Sequence, residues 1–333
     1  MSVSKFSEFV IDKPTENIYI REVYGKTLVE LGHENEDIVV LDADLTVSTK
    51  TNLFGKEFPD RFFTMGVSEQ DMMATAAGFA LTGKRPFAST FAVFATGRAW
   101  EHVRQSIAFP NLNVKIVATH AGLTVGEDGA THQALEDICL MRVLPNMKVI
   151  VPADAVETKQ AIKAVFEDYG PVYVRLARAK FPTIFNDKYE FKIGKAQILR
   201  DGGDVAILAA GIMVNEALEA SRMLEKEGVD ACVVNVSTVK PIDTDTIVNV
   251  ARKTGYVITI EDHNIIGGLG GAVAEVLSEN CPVPLKRMGM QDRFGRSGDG
   301  LKLLEYFGLK AKNIVQSVHE VMGVNAQKLS QSL

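Results

Sequence analysis

Three short stretches hold most of the residues that could do chemistry. In TMGVSEQDMMATAAGFA, Thr64 to Ala80, a β-like run breaks at Ser68 and a glutamate follows at once. Ser68 can cap the helix that begins there, and Glu69 and Asp71 suit its first turn, because carboxylates favour the positive end of a helix dipole. For an acid taken alone, capping is the ordinary explanation. The second stretch, STFAVFATGRA, sets Phe91 and Phe94 three apart. At that spacing two rings can face one way on a helical turn, as a stacking slot or as plain core. The third, THAGLTVGEDGATHQ, gathers two histidines and two acids in a glycine-bearing loop that is too polar for a core element. His120 and His132 are too widely separated for zinc-ligand spacing. Each stretch falls at the end of an expected strand, where open α/β sheets present groups to ligands.

The elements that must position these residues alternate. A helix is expected over Ile18 to Gly32. Strands are expected at 38–45, 61–67, 85–90, 114–120, 147–153 and 172–178, with helices between most of them, as in a parallel sheet covered on both faces. The run KFPTIFNDKYEFKIGKA breaks the pattern and is expected as a linker packed on the surface. A second, smaller alternation follows, with strands near 205–210, 230–237 and 256–262 and helices at 215–227 and 244–253. The fold class expected is α/β with two parallel or mostly parallel sheets. The divisions are an N-terminal extension at 1–16, a first domain at 17–180, a linker at 181–194, a second domain at 195–325 and a tail at 326–333.

Composition narrows the field. With 333 residues, 46% hydrophobic, the chain can bury two cores. A net charge of −6 offers no basic field for nucleic acid or anionic lipid. Its longest apolar run, VAILAAGIMV, is about half of what a membrane span needs. No signal peptide is evident, and Cys139, Cys232 and Cys281 form no CxxC pair, which suits a reducing cytoplasm. Two glycine motifs mislead. HNIIGGLGGAVAE lacks the third glycine and the distant acid of a dinucleotide site, and close helix-to-sheet packing explains it. Gly298, Asp299 and Gly300, with Asn325 downstream, imitate a magnesium–diphosphate motif but follow a polar run instead of a buried strand.

Taken together, the three stretches resemble the pyrimidine-binding domain of thiamine-diphosphate enzymes of the transketolase family, and the likeness runs from about Ile18 to Met322. The GEDGATHQ segment is specific to transketolases within that family, and DRFGRSG-like residues belong to its C-terminal domain. By this resemblance Glu69 is the cofactor-activating glutamate. Hydrogen-bonded to N1′ of the aminopyrimidine, such a carboxyl favours the 4′-imino form that takes the C2 proton, and partial burial helps it by raising its pKa. Phe91 and Phe94 would stack on the pyrimidine, and Asp44 would lie at its rim. The family often has a tyrosine where this chain has Gly97, so the slot is more open or filled from elsewhere. His120 looks like a substrate-phosphate contact, Asp128 a sugar-hydroxyl contact, and His132 a catalytic contact to the ketose C1 region. Arg21, Ser48 and Arg178 match positions that grip the sugar phosphate.

The family's diphosphate-binding domain would precede these two domains and has no counterpart here. The resemblance therefore implies the C-terminal subunit of a split transketolase. An N-terminal subunit would supply the Mg²⁺ ligands and diphosphate contacts, in an α₂β₂ assembly that transfers a two-carbon ketol unit between sugar phosphates. The alternatives are a β subunit of a 2-oxoacid dehydrogenase decarboxylase component, a relative of deoxyxylulose-phosphate synthase, and a non-catalytic subunit.

Overall fold

Every residue of the strand IVVLD at 38–42 is buried, as is every residue at 115–121 and 172–177. Such unbroken burial is the mark of strands covered on both faces. The computed structural model describes residues 5–12 and 16–323. Its first half contains β1 (Asn17–Tyr19), β2 (Ile38–Asp42), β3 (Phe62–Thr64) and β4 (Arg85–Phe91). It continues through β5 (Lys115–Ala121), β6 (Lys148–Ile150), β7 (Val172–Ala177) and β8 (Lys180–Pro182). The second half contains β9 (Gln197–Arg200), β10 (Val205–Ala209), β11 (Ala231–Asn235), β12 (Thr238–Lys240), β13 (Val257–Asn264) and β14 (Leu285–Met290).

The strands build two mostly parallel sheets, the fold class expected from sequence. One has the order β12-β6-β7-β5-β4-β2-β3 and the other β14-β13-β10-β11-β9, while β1 and β8 pair as a separate antiparallel ribbon. Among the described residues, only β12 on β6 and β9 on β11 run antiparallel within the large sheets. Because β12 comes from the second half, it ties the two halves together along the edge of the first sheet.

Local chemistry sets the helix ends. Asp154 caps the helix Ala155–Glu167 by accepting the Glu157 N–H at 2.8 Å. Asp243 caps Thr244–Thr254, which ends on Gly255 at φ 73°. The first helix spans Ile20–Glu34, later than the sequence suggested, because Tyr19 is extended and pairs with Lys180 in the ribbon.

The stretch expected as a surface linker is anchored in the core, with only its charged residues left exposed. Phe181, Ile184, Phe185 and Tyr189 are buried, and the rings of Phe185 and Tyr189 stack at 4.0 Å. Asp154 accepts the N–H groups of both Ile184 and Phe185 at 2.9 Å, and the Tyr189 hydroxyl donates to Glu157. The aromatic residues pull this segment into the core, although it has no helical period.

The glycine motifs also find structural partners. A Cβ at Gly268 would lie 2.0 Å from Glu261 Oε2, and the buried Glu261 carboxylate accepts the N–H groups of Leu269 and Gly270 at 2.7 and 2.8 Å. The chain's own glutamate thus occupies that helix N-terminus. Asp299 caps the helix Gly300–Tyr306 through the Lys302 N–H at 2.9 Å. Asn325 lies outside the described residues. Among the described residues no helix is long and apolar enough to cross a membrane.

Candidate active site

Neighbouring strands of the first sheet carry the candidates at or just beyond their carboxyl ends. Across the order β7-β5-β4-β2-β3, Arg178 follows β7, His120 is the next-to-last residue of β5, Phe91 ends β4, and Asp44 and Ser48 follow β2. Glu69 begins the helix after β3. One rim of one sheet therefore collects residues that are 157 positions apart at the extremes, Arg21 and Arg178.

Ser68 stands at the N-cap of the helix Glu69–Leu81, but its side chain makes no capping hydrogen bond, and the capping box with Asp71 does not form. Glu69 is buried, with 5% of its side chain exposed, and Arg98 Nη1 donates to its Oε1 at 2.9 Å. The same guanidinium lies over the Phe94 ring, 4.0 Å from its centroid. Phe91 and Phe94 stack on each other, with planes 13° apart and centroids 5.9 Å apart. Phe91 is itself covered by the His120 ring at 3.8 Å, so it buttresses Phe94, which is half-buried. His132 packs edge-on against Phe94 at 5.4 Å and Phe91 at 6.3 Å. A cleft of about 430 Å³ opens beside this group, lined by Val67, Ser68, Glu69, Gln70, Asp71 and Arg98.

A basic wall continues the rim. Arg21 Nη1 donates to the Ser48 carbonyl at 2.6 Å and its guanidinium lies over Tyr19. Arg178 donates to the Val125 carbonyl and to the Glu127 carboxylate, both at 2.6 Å. Burial, reinforced by Arg21 and Arg178, pushes the His120 imidazole down to about 3. His120 is thus neutral at physiological pH and can donate one N–H to an anion between two permanent cations. Its φ of 58° turns the ring back over Phe91.

Asp44 and Asp128 are exposed. In LDADL it is Asp42, not Asp44, that is buried. Its carboxylate accepts the hydroxyls of Thr49 and Thr51 at 2.6 and 2.8 Å and the Leu45 N–H at 2.7 Å, fixing the loop that carries Ser48.

The loop Leu123–Thr131 owes its shape to the second domain. Asp262 accepts the Leu123 N–H at 2.9 Å, and Gln133 Nε2 donates to the Leu123 and Arg296 carbonyls. Gly129 sits at φ 73° and ψ −164°, where a Cβ would come 2.3 Å from Ser297 Oγ. The DRFGRSGDG segment is therefore a brace for this loop. Behind it lies a buried network in which Arg175 donates to the Asp137 carboxylate and the Asp262 carbonyl, both at 2.8 Å.

Sequence reasoning did not find Arg98, Asp42 or the Asp262 brace. Arg98 carried one signal, its spacing of four residues from Phe94 next to the unexpected Gly97.

Known protein families match both halves of the chain. The transketolase pyrimidine-binding domain matches residues 16–183 and the transketolase C-terminal domain residues 194–314. The chain belongs to the transketolase family of thiamine-diphosphate enzymes. More narrowly, it groups with the C-terminal sections of split transketolases. A chain of Methanocaldococcus jannaschii described as a transketolase C-terminal section is 52% identical over 306 residues, covering 91% of this chain and 96% of that one. A 6-deoxy-6-sulfo-D-fructose transketolase subunit of Clostridium sp. is 44% identical over 306 residues, covering 92% and 95%. A solved structure described as a split gene transketolase, inactive beta4 tetramer, superposes with a TM-score of 0.85 at 53% identity, covering 93% and 99%.

Proposed function

We propose that this chain is the catalytic C-terminal subunit of a two-subunit transketolase that moves a two-carbon ketol unit from a ketose to an aldose. The observation that carries the reading is the slot between Phe94 and Glu69, where a flat, cationic guanidinium lies on the ring and hydrogen-bonds to a buried carboxylate. An aminopyrimidine needs the same two surfaces, a flat apolar face and an acid at its edge. The residues present therefore fit thiamine diphosphate, which when bound supplies the nucleophilic carbon that accepts the two-carbon unit.

In this reading Glu69 holds a proton against N1′ of the coenzyme, and burial keeps that hydrogen bond from competing with water. Phe94 provides the stacking face, with Phe91 and His120 locking it from behind, and Asp44 stands at the rim. Arg21, Ser48, His120 and Arg178 bind the anionic end of the sugar. Asp128 and His132 hydrogen-bond the hydroxyls next to the reacting carbonyl, and His132 steadies the C1 end. A separate N-terminal subunit would bring the diphosphate contacts and the Mg²⁺ ligands, completing an α₂β₂ assembly in the cytoplasm. All three cysteines are free, which suits that compartment.

The anionic group is either a phosphate or a sulfonate, since the relative from Clostridium is named for a sulfo-sugar. Both present three oxygens that arginine can bind. The test is to purify the chain with its companion under gentle conditions and assay two-carbon transfer from fructose 6-phosphate and from its 6-sulfo analogue. Transfer from either supports the proposal. Lipoyl-dependent oxidation of pyruvate, with no transfer from any ketose, would assign the chain to the 2-oxoacid dehydrogenases instead.

A further inference from the structure

We propose that Arg98 is a placeholder for the aminopyrimidine, filling the slot in the coenzyme-free chain and swinging out when the ring arrives. This rests on the functional reading above and adds a residue to it. A planar guanidinium matches the ring in two respects: it donates an N–H to Glu69 Oε1 at 2.9 Å, and it lies on Phe94 at 4.0 Å. The face of Phe94 that the guanidinium covers cannot take an aromatic ring at the same time.

The local backbone suits a pivoting side chain. Phe94–Arg98 forms a π-type turn that brings residue 98 back over residue 94. The Arg98 carbonyl is pinned by Gln70 Nε2 at 3.1 Å, while 51% of the side chain remains exposed. Arg98 also lines the cleft of about 430 Å³ beside Glu69, which gives its side chain room to move. Without a counter-charge, Glu69 would be an almost fully buried carboxylate with no cationic partner, a costly state. Arg98 relieves that cost until the coenzyme takes over.

The experiment uses the complex copurified with its N-terminal companion and stripped of coenzyme, with thiamine diphosphate titrated by calorimetry. Arg98→Ala should bind about three- to tenfold more tightly than the unmutated complex, the factor expected when a half-exposed ion pair and one cation–π contact no longer have to be broken. Equal or weaker binding overturns the proposal. In the isolated full-length chain, Arg98→Ala should lower the Tm more than the same change does in a Glu69→Gln background, where only the contact with Phe94 is left to lose. An equal drop in both backgrounds also overturns it. If the unmutated complex takes up no thiamine diphosphate, the functional reading falls, and this inference falls with it.

Discussion

Replacing Glu69 by alanine should separate activity from stability. Its side chain is 5% exposed and its cationic partner Arg98 is 51% exposed, so deletion leaves behind a guanidinium that water already reaches. The stability lost is that of a half-solvated ion pair, about 1 kcal/mol or less, with a few tenths more from the helix dipole. The rate should suffer far more. Losing a positioned acid–base group typically costs about 10²- to 10⁴-fold, or roughly 3 to 5 kcal/mol at the transition state. Rates of ketol transfer at saturating coenzyme and substrate, measured beside the Tm and the elution volume of the complex, check both halves. A Glu69→Ala complex that elutes normally and turns over at near wild-type speed would refute the role. So would one that loses its rate only because it has come apart.

Two further outcomes follow from the loop brace and the buried acids. Gly129→Ala places a Cβ against Ser297 at a backbone conformation open almost only to glycine, which costs about 1 to 3 kcal/mol. Because the strain falls on the loop of Asp128 and His132, KM for the ketose should rise more than kcat falls, as steady-state kinetics would read. Burial raises the Asp262 carboxyl to about 7 from its ordinary 3.8. A group raised in this way stabilises the fold below about pH 4, and that contribution is lost as pH rises through 7. Asp262→Asn can keep the bond to Leu123 without ionising, so its Tm relative to wild type should improve steadily from pH 4 to pH 8. A difference independent of pH would show that Asp262 does not titrate in this window.

How much was legible from sequence varies with the range of the interaction. The strand at 38–42 announced itself because burial on both faces demands a nearly unbroken apolar run, and those at 85–91 and 172–177 were legible as short runs rich in apolar and β-branched residues. Glu69 was legible because it stands directly between a strand and a helix. The nearness of Phe91 and Phe94 was legible because they are three residues apart, but their stacking on each other was not. Long-range partners left no such trace. Nothing in THAGLTVGEDGATHQ signals that Asp262, 139 residues away from Leu123, fixes its first N–H. The buried segment around Phe185 and Tyr189 was misplaced because its period, not its aromatic content, was followed. Arg98 escaped notice because a π-type turn, unlike an α turn, has no residue pattern of its own. The role of Asp42 was hidden for the same reason: only the fold shows which of the two acids in LDADL turns inward to Thr49 and Thr51.

The most direct test of the whole account is a titration of thiamine diphosphate and Mg²⁺ into this chain alone and into the chain joined to its copurified companion, with ketol transfer followed in the same samples. The account predicts tight coenzyme uptake and transfer only in the joined sample. Full transfer by the chain alone, or uptake by neither sample, would contradict it.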